Sequence, residues 1–196
     1  MRDKRKNPLH LEGKFVILEE VSPKYFPYVV EWRNNPELNR YLNQSFKLTV
    51  ELERKWYEEV YLKDDTQGLF ILLDKNSGTP FATQGWTNMD IEKRICISGR
   101  LLLGNPRYAR HPGFIEGVLR VSDYLLEFVD VMYTHVVKDN VKGIHHAVTC
   151  GFKPNEGEIQ YPQEIFVNGM ELTEYYCTKE MHKNAGNKLL RVLLRK

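Results

Sequence analysis

Cysteine is scarce in this chain: Cys96, Cys150 and Cys177 are the three in 196 residues. An odd number, widely spaced and with no C-x-x-C pair, suggests neither a disulfide framework nor a zinc site, and fits a reducing cytoplasm. Also missing is any apolar run long enough to span a bilayer, and no apolar h-region follows the basic start MRDKRKN. The expectation is a soluble, unexported, cytoplasmic protein. Charge of one sign is lacking too. The 28 Lys and Arg stand against 26 acids, and a net charge of +2 is too small to announce a nucleic-acid or membrane partner. No linker divides the chain and no internal repeat runs through it. One absence is local: NPRYARHPGFI, residues 105–115, contains no acid.

What is present is enough apolar matter for one sizeable core, 42% of residues with 12% aromatic, without help from metals or bridges. The division expected is a basic N-terminal tail over 1–10, one domain over 11–180 and a basic amphipathic tail over 181–196. Leu189, Leu190, Val192, Leu193 and Leu194 in that last segment would cover an apolar patch of their own domain or make a homodimer contact. KFVILEE reads as a first strand. Ser22 and Pro23 open a helix that ends near Asn34, Asn35 and Pro36 open a short second turn, and Thr49 caps VELERKWYEEVYL. LFILLD, PFATQGWT and RICISGRLLL follow as strands. The stretch from Pro112 to Val129 is a helix with a wide apolar face, MYTHVV is a strand, and DNVKGIHHAVTC is a helix capped by Asp139 or Asn140 and stopped by Gly151. A parallel crossover results. Last, EIFV and MELTEYYCT flank Asn168-Gly169, a type I′ hairpin signal.

A helix N-terminus carries unpaired N–H groups and about half a positive charge, so the acid-free approach with Arg107, Arg110 and His111 favours a bound anion. Gly113 has no Cβ to hold a phosphate away, and Pro112 needs no N–H partner. A solvated basic loop is the competing reading.

The order of elements decides between them by resemblance. LLLGNPRY, then Arg110-His111-Pro112-Gly113-Phe114-Ile115 opening a helix, then YTHVV, Asn140, Ile144 and Gly151-Phe152 resemble, over about residues 11–180, the GNAT superfamily of N-acetyltransferases, which bind acetyl-CoA. VEWRNNPELNRYL is similar to a segment of the branch with ribosomal-protein and amino-sugar acetyltransferases. The resemblance implies an α/β fold whose mixed, mostly antiparallel sheet splays between two central parallel strands, with helices on both faces. It also implies a pantetheine arm in the gap, bonded by backbone near Leu101 and Leu103, a pyrophosphate cradled by residues 110–115, and Asn140 holding the arm from the far side. No metal is implied.

Two departures stand out. Ile115 replaces the last small residue of the phosphate motif, in an approach loop one residue longer than the usual pattern, and Ala147 replaces the tyrosine that serves the family as general acid. A substitute base is sought because an alkylamine must lose a proton before it attacks. His135 falls where several family members place a glutamate, and histidine does that work near pH 7, directly or through water. Strand alternation puts Tyr133 on the same face, where it could supply the missing acid. A core histidine satisfied by a carbonyl is the competing reading of His135. The adjacent His145 and His146 point about 100° apart on a helix and are no metal site. Trp86 would wall a substrate cleft or pack in the core; Arg33 would pair with a phosphate on the substrate or be solvated. The reading is acetyl transfer from acetyl-CoA to a primary amine of a small molecule, such as a nucleotide-linked amino sugar. Alternatives are acetylation of a protein N-terminus, as of a ribosomal protein, and a non-catalytic acyl-CoA-binding module.

Overall fold

The computed structural model describes residues 3–157, 159–161 and 169–193. Eight strands form one sheet: β1 (His10–Glu12), β2 (Val16–Glu20), β3 (Gly68–Asp74), β4 (Pro80–Asp90), β5 (Ile95–Leu103), β6 (Val131–Val137), β7 (Lys153–Pro154) and β8 (Leu172–Thr178). Their order across it is β1-β2-β3-β4-β5-β6-β8-β7. Every neighbouring pair is antiparallel except β5 and β6, which are parallel because the chain between them crosses the sheet as a helix.

Helices cover both faces. β3 shows why: its run LFILL, residues 69–73, is apolar at every position and buried, which suits a strand covered on two sides. Phe70 and Leu72 pack with Val16 and Leu18 against Val118, Val121 and Leu125 of α4 (Pro112–Leu125). Leu69, Ile71 and Leu73 pack on the other face against Phe26 and Val29 of α1 (Phe26–Asn34) and Tyr57 of the helix Val50–Glu59. Between those two helices lies the short α2 (Pro36–Asn39), so Val50–Glu59 is α3. Side chains cap both as expected: Asn35 accepts from the Glu37 N–H, and Thr49 from the Leu52 N–H. A single turn of 3-10 helix at Pro23–Tyr25 precedes α1.

After β6, Asn140 rather than Asp139 caps α5 (Val141–Thr149) by accepting from the Gly143 N–H at 2.9 Å. Gly151, at φ 95°, ends that helix. The Phe152 N–H reaches the Ala147 carbonyl and the Gly151 N–H the Val148 carbonyl, both at 3.0 Å, the paired bonds of a Schellman stop. The partner strand expected at EIFV, and Asn168 of its turn, lie outside the described residues.

Two terminal segments belong to the folded body. Lys4 is 5% exposed, and its ammonium donates to the carbonyls of Tyr61, Asp64 and Gln67 at 2.7–2.9 Å. The last described element is helix α6 (Lys179–Leu193), where Met181 joins the α4-side core and His182 Nε2 lies 2.7 Å from Asp123 Oδ1 of α4.

Candidate active site

β5 and β6 pair over three residues. Ile95 lies beside Val131, Cys96 beside Met132 and Ile97 beside Tyr133. Beyond these, β5 continues to Leu103 and β6 to Val137 with no further pairing between them. The strands part, and alternate residues on each leave backbone N–H and C=O groups facing the gap without a strand partner. Such a gap suits an extended guest that bonds as a strand does.

A bulge re-aims the side chains along β5. Thr83 opposes Leu102 while Gly85 opposes Gly99, so β5 holds one residue more than β4 over this interval, and Arg100 takes up the difference at φ 55°. Cys96, Leu101 and Leu103 therefore all pack on the α4 side, although even and odd positions of a regular strand would face opposite ways. The Arg100 guanidinium lies on the other face, 5.4 Å over the Trp56 ring of α3. At Gly99 an added Cβ would meet nothing within 4 Å, so this residue borders open space.

Across the gap, Met132 and Val136 pack on the α4 side, which leaves Tyr133, His135 and Val137 on the opposite face. His135 is two residues past the last paired position, as Gly99 is on β5. Its Nε2 lies 2.8 Å from Oε2 of Glu174, the residue directly opposite on β8, and the two side chains are 11% and 1% exposed. Glu174 Oε1 accepts from Asn155 Nδ2 at 2.6 Å and from the Gln160 N–H at 3.3 Å. We assign the proton to Nε2, donated to the carboxylate, which leaves Nδ1 with the lone pair. Burial, with the nearby Glu174 charge second, raises the pKa of Tyr133 and keeps its phenol protonated.

The helix tip differs from an open cradle. His111 is the N-cap of α4, and its Nδ1 accepts from the Gly113 N–H at 3.2 Å, while the Phe114 N–H donates to the His111 carbonyl at 3.0 Å. One residue thus closes the donors expected to face a phosphate. A Cβ on Gly113 would sit 2.9 Å from the Phe15 carbonyl, so the glycine is required by the protein's own packing. That contact is tight because both Glu116 oxygens accept from the Lys14 and Phe15 N–H groups, at 2.6 and 2.7 Å, pinning the loop before β2 to α4. Space also supplies an acid where the sequence has none: Asp74 Oδ1 lies 3.9 Å from His111 Nε2. Arg107 and Arg110 are exposed beside the tip, and Pro112 opens the helix with Phe114 and Ile115 packed on the core.

Neither a family sequence model nor a curated protein sequence matches the chain. Solved structures do. A spermidine N-acetyltransferase from Vibrio cholerae in complex with CoA and spermine aligns at a TM-score of 0.73, 16% identity, 87% of this chain and 99% of its own. A GCN5-related N-acetyltransferase from Brucella melitensis aligns at 0.75, 16% identity, 93% of this chain and 86% of its own. An apo nucleotide-linked sugar GNAT aligns at 0.73, 16% identity, 94% and 98%. The fold is that of the GCN5-related N-acetyltransferases.

Within this GNAT fold the remaining expected residues can be located. Asn140 is on the far lip of the gap, its Oδ1 used as the α5 cap. Tyr41, from the segment after α2, donates to the Asp139 carbonyl at 3.2 Å, so the α1 side reaches across to that lip. Ala147 is 7% exposed within the α4-side core. Trp86 is also core, 4% exposed against Phe70 and Tyr124, and offers no face to a cleft; its strand is buried on both sides. Arg33, at the end of α1, is partly buried and donates through Nε to Gln44 Oε1 at 2.8 Å. His146 packs on Phe114, and burial drops its pKa to about 4. The three cysteines are buried and free, with burial pushing each thiol up to about 12, which disfavours a thiolate nucleophile. Among the described residues no cluster could hold a metal ion and no helix is long and apolar enough to cross a membrane. Glu174 escaped the sequence reading because its role comes from strand pairing 39 residues away.

Proposed function

We propose that this chain is an acetyl-CoA-dependent N-acetyltransferase acting on a small primary amine. The observation that carries the reading is the parting of β5 and β6 after Ile97 and Tyr133, beside a histidine oriented by a buried carboxylate. Neighbours on the same fold support it: one is described as a spermidine N-acetyltransferase in complex with CoA and spermine, another as a nucleotide-linked sugar GNAT.

In this reading the pantetheine arm bonds to the free backbone of β5 near Leu101 and Leu103 and is flanked by Asn140. The residues 110–115 take the diphosphate with help from Arg107 and Arg110. Because His111 holds the Gly113 N–H, that ring must turn aside when a phosphate arrives. The thioester supplies an activated carbonyl. A β5 N–H polarises it, and positioning with such polarisation accounts for most of the rate. His135 Nδ1 takes a proton from the amine as the new C–N bond forms and the C–S bond breaks. The departing thiolate is reprotonated by Tyr133, standing in for the tyrosine absent at Ala147, or by solvent. Transfer is direct in this reading, since all three thiols are buried.

The closed helix tip and Ala147 favour a second reading, a non-catalytic acyl-CoA-binding module. Calorimetry with acetyl-CoA tests both, and thiol release with a panel of amino sugars, polyamines and peptides separates them. Release above the amine-free rate supports the enzyme; binding without release from any amine supports the module. If no acyl-CoA binds, both fall.

A further inference from the structure

On the face of the sheet that His135 shares, Arg33, Arg100 and Glu53 form a group whose polar atoms are incompletely used. Arg100 donates through Nη2 to Gln67 Oε1 at 2.6 Å, while its Nη1 is buried with no partner. Arg33 bonds through Nε alone among the described residues. Glu53, on α3, is 5% exposed, yet its carboxylate makes no hydrogen bond, and no ion pair within 4.0 Å, among the described residues. The two guanidiniums are nevertheless its neighbouring charges, and burial raises its pKa. The other charge facing Arg100 is already engaged. Asp64 accepts from Thr66 and Gln67.

Leaving a buried charged donor such as Arg100 Nη1 unbonded is costly, because it has lost water and gained nothing. A guest that uses all three residues relieves the cost. Two guanidiniums match the oxygens of a carboxylate or phosphate, and do so better than any point charge. The unbonded carboxylate accepts an O–H or N–H. The gap beside Gly99 and His135 adjoins Arg100 directly, so an amine presented to His135 can carry such a group.

We propose that Arg33 and Arg100 bind an anionic group, carboxylate or phosphate, carried by the amine acceptor, with Glu53 accepting from a hydroxyl or amino group of the same molecule. This rests on the acetyltransferase reading and narrows it: the acceptor is an acidic, hydrogen-bond-donating amine, and a bare polycation such as spermidine is a poor one.

Matched pairs test this: glucosamine against glucosamine 6-phosphate for phosphate, and an α-amino acid against its amide for carboxylate, with spermidine as polycation. Each is measured by thiol release with acetyl-CoA and, separately, by calorimetry without it. We expect the anionic member of one pair to be favoured at least ~10-fold in kcat/KM and to bind more tightly, as charge-assisted pairs imply. Which pair responds identifies the anion. In R33Q and R100Q that preference, read as the ratio of kcat/KM for the anionic over the neutral member, falls to within about twofold. Equal treatment of both pairs, preference for spermidine, or a preference that survives both substitutions overturns the proposal. If acetyl-CoA fails to bind but Arg-dependent anion binding persists, the anion site stands and the acetyltransferase reading falls.

Discussion

His135 Nε2 stands 2.8 Å from Glu174 Oε2, across the β6–β8 pair that puts the two residues directly opposite each other, on the stretch of β6 that has parted from β5. Glu174 is itself held by Asn155, so ring orientation and tautomer are set by a chain of three residues. H135A should lower kcat by roughly 10²-fold or more, the range of a general base. E174Q should lower it on the order of 10-fold or more through loss of tautomer control, with the KM for acetyl-CoA little changed. Steady-state kinetics at saturating substrate decide it. A loss within a few-fold in H135A removes the histidine from the chemistry.

Gly99 offers a separate probe of the gap. Its missing Cβ faces empty space, so a leucine there should leave the thermal midpoint nearly unchanged, as surface substitutions do. It should also obstruct the space beside His135 and cut turnover by about 10-fold or more, as misplacement of reacting groups does. Full activity in a folded G99L would put the reacting groups elsewhere.

His111 closes the α4 tip through Nδ1. H111A should destabilise the protein by about 1 kcal/mol, the usual worth of an N-cap. It should not weaken acetyl-CoA binding, because the freed Gly113 N–H becomes available to phosphate. Calorimetry checks the second part: a tenfold or greater loss of affinity would make the ring itself a phosphate ligand.

His146 gives the fold a dependence on pH. Burial, with the neighbouring His145 second, holds its pKa at about 4 against 6.5 in the unfolded chain. Between those values the unfolded state binds more protons, so stability rises with pH across the window and is lost as pH falls through it. The amount is on the order of 3 kcal/mol. Urea midpoints at pH 7 and pH 5 should differ in the parent and differ much less in H146L.

Much of the fold is legible without coordinates because its signals are local. Asn35, Thr49 and Asn140 cap the helices they precede since a short side-chain oxygen meets the next free N–H whatever the surroundings. Gly151 stops α5 for an equally local reason, its positive φ. The alternation that sets Tyr133 and His135 on one face is a property of any strand. Trp86 was not legible in this way: an aromatic residue near a polar loop packs in a core or walls a cleft, and only the burial of β4 on both faces decides.

By itself, then, the order of residues determined the helices and strands and the parallel crossover, and its resemblance to a known family pointed to where two strands part. Tertiary structure alone decided the chemistry around that place. It brought Glu174 to His135 and Asp74 to His111, and used an extra residue in β5 to aim Arg100 at Gln67 and Trp56. Each of these depends on register between segments far apart in the chain, and a shift of one residue reverses every face.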